Sequence, residues 1–512
     1  MITLDGNSLT LEDLVKIARD KEEVQIADTA IENVNKSRQI IDDIVASKRT
    51  VYGVNTGFGS LVRVSISAED TSQLQENLIR THSSGFGNPL PEDAVRAMIA
   101  IRINSLVKGF SGIRLLTIET LLGMLNKGVV PHIPEKGSLG ASGDLAPLAH
   151  MVLPMLGLGR AYYEGELMSG KDAMDKAGVE VISLAAKEGL ALINGTTCLN
   201  AVGALATYDA INLLKLQDIA SALSVEAHNG IHTAFADKLH TVRPQIGQLA
   251  TARNMRNLIE GSAYTTEATV DTTEHVQDAY TLRCIPQIHG TSKDSINYVK
   301  EKVEIEMNSV TDNPIVSPDG TVISGGNFHG EPLAQPFDFL GIAASEIGNV
   351  SERRVERLVN NQLSKMPSFL VKHPGLNSGF MITQYACAAL ASENKVLAHP
   401  ASVDSIPSCE NQEDFVSMGT IAARKAAEIV KNSARIVATE IMAACQALDL
   451  KEQTTQLGKG TQPVYDAVRK EVAFIEYDKD IEIYDELNKV SELMENGTLL
   501  AAAEAAVELN IQ

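Results

Sequence analysis

Between positions 137 and 148 the chain reads Gly137-Ser-Leu-Gly140-Ala141-Ser142-Gly143-Asp144-Leu-Ala-Pro147-Leu. Three consecutive residues there have types that suit an uncommon backbone reaction. Gly143 has no side chain to shield its nitrogen, so in a tightly bent loop that nitrogen can attack the Ala141 carbonyl. Loss of one water closes a five-membered ring. Loss of the Ser142 hydroxyl as a second water leaves an exocyclic methylidene. Each position needs its residue: a small one at 141, a β-hydroxyl leaving group at 142 and bare backbone at 143. The product, 4-methylidene-imidazol-5-one, is an electrophile that no ordinary side chain supplies. A plainer reading of the same string is a helix start capped by Ser142 or Asp144.

Other patterns compete poorly. Asp144 falls where the second glycine of a Gly-x-Ser-x-Gly elbow belongs, so a serine-hydrolase nucleophile is excluded. Gly157-Leu-Gly159 has Tyr162 where a dinucleotide fingerprint needs its third glycine. His228 and His232 have a zinc-compatible spacing, but the glutamate of His-Glu-x-x-His is missing and Gly230 weakens a helix. A loop or helix end is expected there, and no metal site. Cys198, Cys284, Cys387, Cys409 and Cys445 are odd in number and scattered, which suits reduced thiols.

Composition narrows the class further. With 65 acidic against 44 basic residues the net charge is −21, which disfavours a phosphate-tracking surface and hence nucleic acid. Aromatic residues are only 4%, too few for base-stacking platforms. The N-terminus shows no basic stretch followed by an apolar run, and no uncharged apolar segment is long enough for a membrane span. The expectation is an acidic cytoplasmic protein without membrane partners.

The elements that must hold the loop are mostly helices. Residues 420–448 contain neither glycine nor proline, and Ile429, Val430, Ala434, Val437, Ile441 and Ala444 recur at three- and four-residue steps. Similar periods cover 198–223, 336–365 and 379–397, the last two joined by a turn near Lys372-His-Pro-Gly. Long helices with an apolar face pack as a bundle. Three parts are expected: a smaller N-terminal α/β part over 1–110, a central long-helix bundle over 111–450 that carries the loop, and peripheral C-terminal helices over 451–512. Glycine and proline concentrate in 127–147 and 285–335, which are expected to be loops and the place to look for function.

The 140–144 segment resembles the active-site loop of the histidine and aromatic amino acid ammonia-lyase family, whose electrophile forms autocatalytically from Ala-Ser-Gly. Further blocks in the expected order resemble it too. They are Tyr52-Gly-Val-Asn-Thr-Gly-Phe-Gly, Asn77-Leu-Ile-Arg-Thr-His82-Ser-Ser-Gly, Asn194-Gly-Thr and Gln277-Asp-Ala-Tyr280-Thr-Leu-Arg283. Thr311-Asp-Asn-Pro, Gly325-Gly-Asn-Phe328-His-Gly-Glu and Asn411-Gln-Glu413-Asp complete the series. The resemblance implies a mainly α, long-helix bundle of the aspartase/fumarase-like type, a homotetramer whose sites draw residues from several subunits, and a 4-methylidene-imidazol-5-one built from Ala141, Ser142 and Gly143.

It also implies roles. Tyr52 matches the base that removes the β-proton. A tyrosine with an ordinary pKa of about 10 is a poor base, so the site must favour phenolate, with Arg283 and helix N-termini as sources of positive potential. Arg283 matches the group that grips the substrate carboxylate, and with Gln277 and Tyr280 it has the spacing of one helical face. Tyr280 would assist proton handling; Asn194 and Gln277 would hydrogen-bond the ring or the substrate; Phe328 would wall the site. Asn194 equally suits a turn before glycine, and Phe328 an ordinary core position. Thr81-His82 and Glu413 favour histidine as substrate, with trans-urocanate as product, because a carboxylate accepts from an imidazole N–H. Thr197 and Phe415 depart from the usual histidine-lyase pattern and keep a tyrosine or phenylalanine lyase, or a 2,3-aminomutase, in view. A non-catalytic helical scaffold is the remote alternative.

Overall fold

The computed structural model describes residues 1–47, 49, 51, 53–54, 56, 71–267, 276–451, 456–476 and 481–512. The fold is mainly α, and the described strands are two to four residues long. Two compact units divide the chain. The first gathers Met1–Tyr208, Val299–Asp338 and Pro400–Arg424; the second gathers Asp209–Tyr298, Phe339–His399 and Lys425–Gln512. Each takes three separated stretches, so these boundaries do not coincide with positions 110 and 450. No helix among the described residues is long and apolar enough to cross a membrane.

The first unit opens with a parallel strand pair, Ile2–Leu4 against Val24–Ile26. Between them runs the helix Leu11–Ala18, started by the Thr10 hydroxyl, which accepts from the Asp13 N–H at 3.1 Å. The helix Glu92–Leu106 is buried from Ala94 to Leu106 although it carries two arginines. Arg96 donates to the carbonyls of Ile17 (3.1 Å) and Leu125 (2.9 Å). Arg102 donates to the carbonyls of Asn194 (2.8 Å) and Ala191. Each guanidinium therefore sits on the carbonyl ends of neighbouring helices, Leu11–Ala18, Leu115–Lys127 and Glu188–Ile193, where partial negative charge collects. Burial pulls the Arg102 pKa down to about 10, which leaves it charged at neutral pH.

The second unit is held by buried charge. Asp218 accepts from Lys293, from the His289 ring at 2.8 Å and from the Asn254 amide at 2.8 Å. Arg354 pairs with both oxygens of Glu440, at 2.6 and 3.0 Å, and donates to the other His289 nitrogen at 3.3 Å. That donor makes Nε2 the acceptor, so Nδ1 carries the proton toward Asp218 and the ring is neutral. Burial lowers the His289 pKa to about 4, which agrees with a neutral ring.

The long helices follow the apolar period, as Thr197–Ala227, Glu331–Val359, Met381–Leu397 and Gly419–Asp449. Two expectations need correction. The helix expected to run through 365 ends at Val359, because Asn360 turns extended and its side chain accepts from the Gln362 N–H at 3.0 Å, capping a separate turn, Asn361–Ser364. The stretch 285–335 is not one loop: Ile285–Met307 is a helix of 23 residues. Gly290 serves a crossing there, since a Cβ on it would meet the Gln248 nitrogen at 2.4 Å. Its composition resembles a loop because a close approach between helices also selects glycine.

Candidate active site

The bend expected at 140–143 is present. Gly140 and Gly143 form an isolated antiparallel bridge, so Ala141 and Ser142 occupy the tip of a tight reverse turn. Gly143 also bridges Gly195, and the turn is laced to that short connection between helices: the Asp144 N–H donates to the Gly195 carbonyl (2.8 Å), and the Gly195 N–H to the Ser142 carbonyl (3.2 Å). Gly143 has φ +72°, and a Cβ on it would lie 2.1 Å from the Gly195 oxygen. Only bare backbone passes there. Ala141 is buried and Ser142 half-buried.

Asp144 anchors the turn from beneath. It is fully buried at the start of the helix Leu145–Val152, and its carboxylate accepts from the Leu199 N–H (2.8 Å), the Ser138 hydroxyl (2.9 Å) and the Thr420 hydroxyl. Leu199 and Thr420 lie in the first turns of the helices Thr197–Ala227 and Gly419–Asp449. Three helix N-termini thus converge behind the loop, bringing partial positive potential to it. Burial pushes the Asp144 pKa up, against the pull of those donors. Of the two caps considered, Asp144 occupies the N-cap position, without a side-chain bond to its own helix.

Above the turn, the Ser142 hydroxyl donates to Glu413 at 3.0 Å. The other Glu413 oxygen accepts from the Ser408 hydroxyl at 2.8 Å, and Ser408 and Glu413 bridge through their backbones. His82 ends the helix Thr71–His82, half-buried. Burial lowers its pKa, while the charge of Glu413 pulls the other way, so the ring is neutral at neutral pH. Phe328 is half-buried in the irregular stretch before Glu331. Phe415 stacks on His329, ring centroids 6.0 Å apart, which gives it a partner of its own.

Asn194 ends the helix Glu188–Ile193 and is 2% exposed. Its Nδ2 donates to the Asn313 carbonyl at 3.1 Å, while its Oδ1 is buried with no hydrogen-bond partner among the described residues. It is both the turn residue before glycine and a buried amide with one free acceptor.

Ala141, Ser142, Gly143, His82, Asn194, Phe328 and Glu413 all belong to the first unit; Gln277, Tyr280 and Arg283 belong to the second. The expected shared helical face is corrected here. Tyr280–Arg283 is a one-turn helix that begins after Gln277, so only Tyr280 and Arg283 lie on it. The Arg283 guanidinium sits 4.7 Å over the Tyr280 ring, and its Nε donates to the Asp278 carbonyl at 2.8 Å. Tyr52 lies outside the described residues. Ser408, Thr420, Lys187 and Asp312 escaped the sequence reading, although Asp312 stands inside a quoted block; nothing in their local spacing announces them.

A family model described as aromatic amino acid lyase matches residues 9–470. Histidine ammonia-lyases of Streptococcus sanguinis (strain SK36) and Streptococcus pyogenes serotype M49 (strain NZ131) are each 76% identical over 512 residues, covering 100% of this chain and 99% of theirs. Among solved structures, histidine ammonia-lyase from Trypanosoma cruzi is similar with a TM-score of 0.91 at 43% identity, covering 99% of this chain and 96% of that one. Tyrosine aminomutase from Streptomyces globisporus has a TM-score of 0.95 at 36% identity, over 100% of both chains. The chain belongs to the aromatic amino acid lyase family.

Proposed function

We propose that this chain is a carbon–nitrogen lyase that eliminates ammonia from L-histidine to give trans-urocanate. The observation that carries the substrate choice is the Glu413 carboxylate hydrogen-bonded to Ser142 at the tip of the turn, with the charge of Glu413 felt at His82. A carboxylate there suits an imidazole N–H and disfavours a bare phenyl ring. Full-length relatives named histidine ammonia-lyases support the same reading.

Ala141, Ser142 and Gly143 are the residues that would form the 4-methylidene-imidazol-5-one. The tight turn and the close approach at Gly143 that excludes any Cβ fit that group, while the orphaned acceptor of Asn194 is left for a donor on the substrate, its amine. When formed, it supplies an electrophilic carbon for a substrate nucleophile. The remaining work falls to side chains. Glu413 orients the imidazole and favours its protonated form, which draws electrons from the β-carbon and eases loss of its proton. Arg283 offers the substrate carboxylate a planar charged fork, steadied at Nε by Asp278. Tyr280, its ring against Arg283, handles a proton, and Gln277 hydrogen-bonds the substrate. Phe328 walls the pocket. Tyr52 is the proposed base. The three helix N-termini behind the loop favour negative charge as it accumulates there.

The enzyme is proposed to be a homotetramer: exposed Phe339, Ile342, Ile382 and Tyr385 in the second unit are apolar surface that suits a partner copy. Its five cysteines are free, as suits a reducing cytoplasm. The test of the function is separate incubation with L-histidine, L-tyrosine and L-phenylalanine, reading the absorbance of the unsaturated acid, alongside an intact mass. Urocanate from histidine and a mass short by two waters are expected. The same mass deficit without urocanate overturns the substrate, and an unmodified, inactive chain overturns the lyase.

A further inference from the structure

We propose that the buried Lys187–Asp312 ion pair is a positioning device for Asn194, holding its amide so that the oxygen, and not the NH2, is presented to the substrate amine. The proposal rests on the reading above that Asn194 hydrogen-bonds the substrate, and takes the amine as the group it meets. Lys187 Nζ meets Asp312 Oδ2 at 2.6 Å, with side chains 0% and 1% exposed. The second Asp312 oxygen accepts from the Asn313 N–H at 2.7 Å and faces Asn194 Nδ2 at 3.4 Å. Asn194 Nδ2 also donates to the Asn313 carbonyl at 3.1 Å.

Both partners of that nitrogen are pure acceptors. A flipped amide would set its oxygen against a carbonyl and a carboxylate, so the orientation runs one way only. The Asn194 oxygen is then left buried and without a partner among the described residues. The peptide that carries it is pinned as well. Its carbonyl accepts from Arg102 at 2.8 Å, and the next N–H, of Gly195, donates to the Ser142 carbonyl at 3.2 Å. An ion pair is a poor choice for packing alone, because an apolar pair of similar volume avoids the desolvation of two charges. Lys187 moreover holds a left-handed backbone, φ +73°, at the start of the helix Glu188–Ile193.

The polarity of the amide matters for an amine. An accepting oxygen binds the amine through an N–H and turns the nitrogen lone pair away from itself, leaving that pair for bond formation. An NH2 in the same place would donate into the lone pair and occupy the electrons the reaction uses. The Asp312 carboxylate, paired with Lys187, and the Asn313 carbonyl that it helps to place decide between the two.

The test is Asp312→Asn, whose own amide can donate or accept: it removes one of the two obligate acceptors at Asn194 Nδ2 and loosens the hold on the Asn313 peptide that carries the other. The intact mass should stay short by two waters. Loss of one hydrogen bond to a polar substrate group should lower kcat/KM for L-histidine about tenfold or more. Competitive inhibition by 3-(imidazol-4-yl)propionate, which keeps ring and carboxylate but lacks the amine, should stay within about twofold. Asn194→Ala should reproduce the same split. An unchanged kcat/KM in Asp312→Asn, with a loss in Asn194→Ala, overturns the positioning role. Equal losses for substrate and desamino analogue overturn it too, since they mark general distortion. No loss in Asn194→Ala instead removes the underlying reading of the site. Should Asp312→Asn fail to fold, Lys187→Met/Asp312→Asn, which removes both charges at similar volume, decides by the same readouts.

Discussion

Asp144 beneath the loop and Asp218 in the second unit are the same side chain at the same burial, both 0% exposed, in opposite surroundings. Asp144 takes its hydrogen bonds from hydroxyls and a backbone N–H, and burial prevails: its pKa is pushed up. Burial also opposes the charge of Asp218, but Lys293 and His289 overcome it and the pKa is pulled down. The scaffold thus neutralises its charges pair by pair. The loop is tied by neutral donors, which leave the field of the converging helix N-termini available to whatever binds there.

The largest effect expected on the loop side is Ser142→Ala. Turnover should fall on the order of a thousandfold or more, because the leaving group of the ring-forming step is gone. The intact mass should show no dehydration and the melting temperature should stay near the parent's, since the hydroxyl that meets Glu413 is in any case lost when the ring forms. Substantial residual activity would contradict the assigned loop. On the scaffold side, Arg354→Met leaves Glu440 buried without its partner and should destabilise by about 3–5 kcal/mol in urea unfolding. Arg354→Met/Glu440→Gln should recover part of that, and no recovery would mean the pair is not what neutralises this core.

Smaller effects separate the two aspartates by pH. A lowered carboxyl contributes stability that is present above the ordinary aspartate range and is lost as pH falls through its depressed value. The stability gap between parent and Asp218→Asn should therefore shrink toward acid. A raised carboxyl contributes below its unfolded value and loses that contribution as pH rises through the raised one. The gap between parent and Asp144→Asn should widen toward acid instead. Urea midpoints at neutral and mildly acid pH read both, and gaps of the same sign would break the contrast. The smallest effect is Glu413→Gln, which keeps shape and removes charge. Histidine kcat/KM should fall about tenfold, with less change in any activity on tyrosine. Equal losses would detach Glu413 from substrate choice.

Much of this architecture was legible in the chain. The three- and four-residue apolar steps of 420–448 match the helix Gly419–Asp449 to within a residue at each end, because helical period is a local property. Legibility failed where one residue type serves two purposes. Gly290 reads as a loop glycine but stands in a helix crossing, and Asn360 reads as part of a continuous helix but caps the next turn. Gln277 has helical spacing to Tyr280, yet the helix starts after it. Spacing states where a face would be, not where the helix begins.

By itself the sequence determined the tripeptide proposed to close the ring, since that step needs only adjacent residues within one bent turn, and the long helices, since their period is written every few positions. Only the tertiary structure decided what stands over and behind that turn. Glu413 reaches Ser142 across 271 positions, and Asp312 reaches Lys187 across 125. Partners so distant leave no periodic trace in the chain, and the protonation and orientation they impose depend on burial, which exists only after folding.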